Sequence, residues 1–284
     1  MKDTAMTILN RRRTRRNRPA GPRSIYDPIS FGIDENGDPV EVTLMYRNLL
    51  DGGEPGSGKS SLLNTIIGHA ALCTDARLWL FDGKIVELGL WRPVADVFVG
   101  NSIGLALEKL RELQSEMDIR YTQLDAAGRR KIVQTDGLDV ILCVIDELAY
   151  YSVTIGTKDE QEEFRTLVRD LVARGRAAGI IVVAATQRPS ADIIPTSLRD
   201  LFGYRVAFRC TTDSSSDIIL SVGWAKEGFS AKDIRPEDRG VGWLLAEGGI
   251  PRRFKAAYLT DAHIRAVVNA ARRLRDNAPG DPAA

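Results

Sequence analysis

The sequence has no apolar run long enough to cross a bilayer, and it is poor in cysteine and histidine. A membrane-spanning helix needs about 20 consecutive apolar residues, and no stretch of these 284 residues approaches that length. Cys73, Cys143 and Cys210 stand far apart without C-x-x-C spacing, which argues against a disulfide framework and a zinc site. His69 and His263 have no ligand or nucleophile at a useful spacing. We therefore expect a cytoplasmic protein, with peripheral attachment to a membrane as the alternative.

The net charge of the chain is also close to zero, but positive charge is concentrated near its amino end. Residues 11–23 contain seven arginines and no acid, which leaves −6 for the rest of a chain whose formal charge is +1. Little apolar content lies in residues 1–24, so we predict a disordered Arg-rich arm there and a second disordered tail at 277–284. Three roles for the arm stay open: contact with nucleic-acid phosphates, attachment to an acidic membrane surface or membrane-bound partner, and a solvated tail.

The segment GEPGSGKS at residues 53–60 matches G-x-x-x-x-G-K-[ST] at every fixed position. An apolar run precedes it and a helical apolar pattern follows it, as a phosphate-binding loop requires. In such a loop the backbone N–H groups surround a triphosphate and the lysine reaches its outer phosphates. The pattern predicts ATP binding by Gly53, Glu54, Pro55, Gly56, Ser57, Gly58, Lys59, Ser60 and Ser61.

Two further strands end in polar residues that suit the same site. The apolar run 140–145 ends at Asp146 and Glu147, and the run 180–185 leads into Gln187. Ligands of open α/β sheets lie at the carboxyl ends of the strands. We therefore predict that Ser60 and Asp146 hold Mg²⁺, that Glu147 activates the attacking water, and that Gln187 senses or orients it.

The chain pattern predicts an α/β fold with a mainly parallel sheet. Alternating apolar runs in residues 29–44 flank an Asn-Gly pair, which favours a leading β-hairpin within residues 25–46 and a two-residue turn. We place the main domain at residues 25–276. Further strands are expected at 76–81, 204–209, 241–246 and 254–259, with a closing helix near 264–274. The charged cluster at Asp82, Lys84 and Glu87 fits a surface network or an element near the ATP site, and both remain open.

The segments GEPGSGKS, LFDGKIVEL, VIDELAYY, ARGRAAGIIVVAATQRPSADIIP and RVAFR occur in this order. Together they resemble the motor domain of the FtsK/SpoIIIE/HerA-type DNA translocases. The resemblance implies a RecA-like P-loop NTPase core that assembles as a hexameric ring around double-stranded DNA and moves it with ATP. It also implies that Arg176 is an arginine finger for the neighbouring subunit and that Arg188 and Arg199 contact DNA. An ordinary cation at a helix C-terminus is the alternative for Arg176.

Departures from the family pattern narrow the expected function. The sequence shows no counterpart of the membrane-spanning and winged-helix modules of chromosome translocases, and Asp213 and Asp217 stand where those pumps tend to carry basic residues. A motor with an Arg-rich arm more closely resembles the actinobacterial proteins that transfer plasmids or integrative elements in conjugation. The alternatives are a protein-secretion ATPase of the same superfamily, a chromosome-partitioning pump, and a nucleotide switch without turnover.

Overall fold

The strands expected from continuous apolar runs form the middle of one ten-stranded sheet in the computed structural model, which describes residues 23–276. The strands are β1 Ile29–Ile33, β2 Pro39–Val42, β3 Leu49–Gly52, β4 Ala76–Phe81, β5 Val97–Val99, β6 Val140–Ile145, β7 Ile180–Thr186, β8 Tyr204–Phe208, β9 Val241–Ala246 and β10 Arg252–Ala256. The helices are α1 Lys59–Ala71, α2 Ile103–Ala126, α3 Lys158–Arg174, α4 Thr196–Arg199, α5 Asp213–Leu220 and α6 Asp261–Asp276.

The strand order is β2-β1-β10-β9-β8-β3-β7-β6-β4-β5. The six strands from β8 to β5 in this order pair in parallel, whereas β9, β10, β1 and β2 extend the sheet in antiparallel fashion. The loop-bearing strand β3 therefore lies between β8 and β7, inside the parallel part. The predicted α/β fold with a mainly parallel sheet is confirmed.

Helices cover both faces of the sheet, which explains why its central strands are apolar throughout. Leu78 and Leu80 of β4 pack in one core with α1 and α6, while Trp79 and Phe81 pack in the other with α2, α3 and α5. The alternation of side chains along a strand sends successive residues into opposite cores. This two-sided burial fixes the register of the strands whose ends carry the candidate site.

Two local predictions are wrong. The hairpin turn is a five-residue loop, 34–38, rather than a two-residue turn, because the Asp34 carboxylate accepts the N–H groups of Asn36 and Asp38, both at 2.9 Å. The last strand lies at Arg252–Ala256 rather than at 254–259, because β10 pairs back on β9 directly after a tight turn at residues 247–250. Pairing between these two consecutive strands sets the bounds of β10, and the apolar pattern does not show it.

The hairpin also belongs to the main sheet, since β1 pairs with β10. Most of the predicted arm and all of the predicted tail lie outside the described residues. Ser24, which the prediction assigned to the arm, instead donates its hydroxyl to Asp75 at 2.5 Å, and Ile25 donates its N–H to the same carboxylate at 2.9 Å. Ser24 therefore belongs to the folded domain, one residue before the boundary that composition suggested.

Candidate active site

The predicted phosphate-binding loop connects the carboxyl end of β3 to the first residue of α1. Gly56 and Gly58 have φ angles of 74° and 136°, which side-chain-bearing residues rarely adopt. A Cβ at Gly58 would lie 2.7 Å from the Cα of Gly240, whose N–H donates to the Ser57 carbonyl at 2.8 Å. The two glycines therefore allow the tight turn and the close backbone contact that place N–H groups around an anion.

Lys59 is buried and turned back onto its own loop. Its ammonium group donates to the carbonyls of Gly53 at 2.5 Å and Glu54 at 2.8 Å. Burial lowers the pKa of Lys59, with Asp51, Glu147 and Asp146 acting in the opposite direction. A triphosphate would offer this group stronger acceptors than the two carbonyls, since hydrogen bonds between ionised partners are the stronger ones.

A cavity of about 350 Å³ opens beside the loop and collects residues from four strand ends. Asp146 follows β6 and Gln187 follows β7, so the structure brings these predicted residues to the loop. The open question about the charged cluster after β4 is answered for two of its members, because Lys84 and Glu87 also border the cavity. The full lining is Pro55, Gly56, Gly58, Lys59, Ser60, Ser61, Lys84, Glu87, Asp146 and Gln187.

Asp146 has the environment expected of a metal ligand. Its side chain is buried, and its Oδ2 atom has no hydrogen-bond partner among residues 23–276. Burial, followed by the nearby charges of Glu87 and Asp82, raises the pKa of Asp146 to about 7. An unpaired carboxylate oxygen and the Ser60 hydroxyl at the same cavity fit Mg²⁺, which prefers oxygen ligands and is commonly held by few protein groups together with phosphates and water.

Glu147 does not line the cavity, because its carboxylate is held against the end of β7. One oxygen accepts from the Thr186 hydroxyl at 2.7 Å and from the Ala149 N–H at 3.1 Å. The other oxygen accepts from the Gln187 N–H at 2.8 Å. The predicted base and the predicted sensor are thus hydrogen-bonded neighbours. Sequence reasoning missed Thr186, although a hydroxyl at the last position of an apolar strand was a visible signal.

Arg176 lies at the opposite edge of the sheet from the loop. It sits in the 3₁₀ turn Gly175–Ala178, directly before the amino end of β7, and its guanidinium is 3.8 Å from the Glu247 carboxylate. The seven residues of β7 span about 20 Å, so Arg176 cannot reach the loop of its own chain. The finger assignment stays a prediction. The nearby Arg174 is bound within its own chain, because it pairs with Asp170 at 2.5 Å and Asp118 at 2.9 Å.

The two predicted DNA contacts differ in exposure. The Arg188 side chain is 64% exposed and only 3.3 Å from one carboxylate, that of Asp192. The Arg199 side chain is 9% exposed and bonds Asp200 at 2.8 Å. A phosphate contact by Arg199 would require this side chain to leave the interior, so its placement favours a structural role. Both DNA contacts stay predictions.

The two aspartates that depart from the family pattern have structural partners. Asp213 accepts from Ser230 at 2.6 Å and from the Lys232 ammonium at 3.1 Å. The Asp217 carboxylate accepts the N–H groups of Gly223 and Ala225, both at 3.0 Å. These carboxylates organise the loop that follows α5, and they are not arranged as a ligand for an anionic polymer.

The sequence and the fold both have known relatives. A model of the FtsK/SpoIIIE family matches residues 9–140. The DNA translocase FtsK of Treponema pallidum (strain Nichols) is 31% identical over 268 residues, which are 88% of this chain and 32% of that protein. The DNA translocase FtsK of Corynebacterium efficiens is 30% identical over 273 residues, 87% of this chain and 28% of that protein. The chain thus spans about a third of the length of these curated relatives.

Solved structures share the fold at lower identity. The pCW3 conjugation coupling protein TcpA, in a monomer form with ATPγS, superposes with a TM-score of 0.75 at 24% identity, over 88% of this chain and 70% of that chain. The cytoplasmic domain of the type VII secretion ATPase EccC of Thermomonospora curvata superposes with a TM-score of 0.73 at 22% identity, over 93% and 32%. No helix within residues 23–276 has the length and apolar character needed to span a membrane.

Proposed function

We propose, since the chain belongs to the FtsK/SpoIIIE family of ATPases, that it hydrolyses Mg·ATP to move double-stranded DNA as a ring of identical subunits, in the transfer of a plasmid or integrative element. The observation that carries this proposal is the meeting of the loop, Asp146 and Gln187 at one cavity. Relatives at about 30% identity are named as DNA translocases, which favours DNA as the polymer that is moved.

Within one subunit, this chain's residues have separate tasks. The loop N–H groups and Lys59 bind the phosphates, and Lys59 must exchange its two carbonyl partners for them. Ser60 and Asp146 would hold Mg²⁺, which when bound neutralises charge on the β- and γ-phosphates. Glu147 would accept the proton of the attacking water. It has to rotate away from Thr186 or share its Oε2 atom to do so.

A ring would add an arginine to the cavity that holds Asp146 and Gln187. Within one chain, Arg209 pairs with Glu54 of the loop but borders a different cavity. No arginine of residues 23–276 lines the cavity, and Arg176 stands about a strand length away from it. In the proposed ring, the edge that carries Arg176 would face the loop of the next subunit. A guanidinium supplied in this way stabilises charge in the transition state of phosphoryl transfer.

Protein handling by a secretion-type ATPase is the second candidate function. The observation that favours it is that Asp213 and Asp217 stand where chromosome pumps tend to have basic side chains and are committed to loop structure here. Double-stranded DNA and a polypeptide make different demands on such a surface, since phosphate contacts need lysine and arginine.

The deciding experiment measures ATP turnover with and without duplex DNA, together with particle size. The proposal expects strong stimulation by duplex DNA and a particle several subunits in size, without dependence on base sequence. Unchanged turnover with DNA would favour the secretion candidate.

Removing residues 1–22 tests the Arg-rich arm separately. If the arm binds DNA phosphates, the log–log salt slope of duplex binding should flatten by about 0.9 for each phosphate that the arm neutralises in the parent protein. An unchanged slope would assign the arm to a membrane or protein partner.

A further inference from the structure

The turn after β4 carries two charged side chains to the ATP cavity, and neither takes part in the binding and hydrolysis steps above. The Lys84 ammonium lies 3.6 Å from one carboxylate oxygen of Glu87. The other carboxylate oxygen of Glu87 lies 3.5 Å from the Ser60 hydroxyl. Ser60 is the loop residue whose hydroxyl meets the metal in P-loop proteins. The pair therefore borders the cavity next to Ser60, where the metal is expected.

The turn is held in a fixed shape by a buried carboxylate. Asp82 is fully buried and accepts three backbone N–H groups, those of Lys84 at 3.0 Å, Ile85 at 2.9 Å and Leu88 at 2.8 Å. Ile85 adopts a φ of 70°, a left-handed conformation that a β-branched residue rarely takes. Strain of this kind persists where the surroundings over-determine the backbone, and it concentrates at functional sites.

The strand end that carries the acids packs against the same turn. A Cβ at Gly83 would lie 2.2 Å from the ring of Tyr150, so glycine is required for this contact. Tyr150 begins the π-helical turn that closely follows Asp146 and Glu147. The position of Lys84 and Glu87 relative to the acids is therefore set by packing rather than by a mobile loop.

An independent observation points to a ligand between these groups. The Asp146 side chain is 6% exposed, borders the cavity, and leaves its Oδ2 atom without a partner within the described chain. Asp146, the Ser60 hydroxyl and Glu87 thus present oxygens to one space. Mg²⁺ keeps several of its waters, and such waters need acceptors in fixed positions.

We propose that Glu87 holds a water of the Mg²⁺ shell and that Lys84 binds the γ-phosphate. The ion pair between the two side chains would then break when Mg·ATP binds, and each side chain would contact Mg·ATP instead. This inference rests on the proposed function, because it assumes that Mg·ATP occupies the cavity. The pair is only partly buried, with side chains 41% and 33% exposed. An exposed ion pair of this length contributes little stability, so nucleotide binding can separate it at small cost.

The two halves of the proposal separate in a binding experiment that needs no turnover and no DNA. Fluorescent ATPγS and ADP analogues are titrated into the protein over a range of Mg²⁺ concentrations. Glu87→Gln should raise the Mg²⁺ concentration for half-maximal binding of the ATPγS analogue about tenfold, as the removal of a group that orients the metal's ligands does. Lys84→Met should weaken the ATPγS analogue about tenfold and leave the ADP analogue unchanged, because it removes a charged hydrogen bond to one phosphate.

Lys109→Met and Glu112→Gln are matched controls, since this pair has the same spacing, lies at 2.6 Å on α2, and does not border the cavity. Lys84→Arg keeps the charge and should retain the preference for the ATPγS analogue. The inference would be overturned by an unchanged Mg²⁺ requirement in Glu87→Gln, or by an equal loss of affinity for both nucleotides in Lys84→Met. Either result would assign these residues a structural role and would leave the proposed function intact. If the parent protein shows no Mg²⁺-dependent binding, the proposed function fails and the inference falls with it.

Discussion

Asn48 and Asp51 lie at opposite ends of the same short strand, and only the Asn48 side chain has hydrogen-bond partners within residues 23–276. At the amino end, the Asn48 amide donates to the Val172 carbonyl at 2.7 Å and accepts from the Val182 N–H at 2.8 Å. At the carboxyl end, neither oxygen of Asp51 has a hydrogen-bond partner among the described residues. Both side chains are fully buried. Burial raises the pKa of Asp51 well above its usual range.

The same difference separates Arg120 from Asp146, although it does not hold for every buried group, since Arg205 Nε near the amino end of β8 also lacks a partner among the described residues. On the amino side, the buried Arg120 guanidinium bonds Glu116 at 2.7 Å and the Ala178 carbonyl at 2.9 Å. On the carboxyl side, Asp146 has an unpaired oxygen and Ile85 holds a left-handed backbone. Buried polar atoms are normally paired, and exceptions call for an explanation. At these positions, the buried polar groups of the amino edge bond other parts of the fold, whereas those of the carboxyl edge remain available to a ligand.

The largest effects are expected from substitutions at the carboxyl edge of the sheet, in and beside the phosphate-binding loop. Lys59→Ala should abolish both nucleotide binding and ATP turnover, because it removes the charge that meets the β- and γ-phosphates. Glu147→Gln should keep binding and lower turnover by about 10²–10⁴-fold, since an amide cannot take the proton of the water. Nucleotide titration and phosphate release measure the two effects. Turnover of Glu147→Gln at the parent rate would show that another group is the base.

The second prediction asks whether the amino edge of one subunit completes the carboxyl edge of the next. Arg176→Ala should lower turnover by about 10³–10⁵-fold with binding retained, if its guanidinium acts on the neighbour's phosphates. Arg174→Ala is the matched control, because Arg174 is bound within its own chain by Asp170 and Asp118. It should change turnover little and stability by about 1 kcal/mol or less.

Mixing separates action between subunits from a local role of Arg176. Lys59→Ala and Arg176→Ala are each expected to be inactive, yet mixed rings contain interfaces in which an intact loop meets an intact arginine. Some turnover should therefore return on mixing. Particles that demonstrably exchange subunits and stay inactive, or full activity of Arg176→Ala alone, would leave Arg176 as a helix-end cation.

The sequence predicted the parallel strands well because burial on both faces demands continuous apolar runs. The runs at 76–81 and 140–145 coincide with β4 and β6, and the run at 180–185 ends one residue short of β7. The antiparallel part was less predictable. Its register depends on the turn before β10 and on a bulge between Ser30 and Gly32, neither of which changes the apolar pattern enough to be seen.

The site was predictable where one motif contains the chemistry and unpredictable where distant segments meet. The loop, Asp146 and Gln187 were found from their own segments, and the structure gathers them. The approach of Glu87 to Ser60 depends on the strand order, which a single sequence does not reveal. The burial of Arg199 was equally hidden, because arginine is usually exposed and one of its partners, the Asp217 carbonyl, belongs to α5.

The third prediction concerns a substitution at the amino edge of the sheet that leaves the ATP site unchanged. Asn48→Ala should destabilise the fold by about 3 kcal/mol, because it leaves the Val172 carbonyl and the Val182 N–H buried and unpaired. Affinity for nucleotide, measured per folded molecule, should stay at the parent value. Urea unfolding and nucleotide titration test the two parts. A loss of affinity with full stability would show that the two edges are not separate in function.

The smallest expected effect concerns Asp146 and the pH dependence of stability. Its pKa in the folded chain is about 7 against an ordinary value of 3.8, so the folded state keeps a proton that the unfolded state has released. The contribution of Asp146 to the stability of the fold is therefore complete below its pKa in the unfolded chain, and it is lost as the pH rises through about 7. The whole shift corresponds to about 4 kcal/mol at most, and because the carboxyl group borders an open cavity we expect half of this, about 2 kcal/mol.

Asp146→Asn does not titrate, so in magnesium-free and nucleotide-free buffer this part of the fall in stability between pH 4 and pH 7.5 should disappear. At pH 7.5 the variant should be more stable than the parent, by about 2 kcal/mol. Adding Mg²⁺ with ATPγS should reverse the order, because only the parent gains the ligand's binding free energy in full. Glu41→Gln, an exposed change on β2, is the control and should follow the parent. Parallel pH profiles of stability for the parent and Asp146→Asn would mean that the fold does not hold Asp146 protonated. Burial of the unpaired Asp146 Oδ2 atom would then cost the fold little stability.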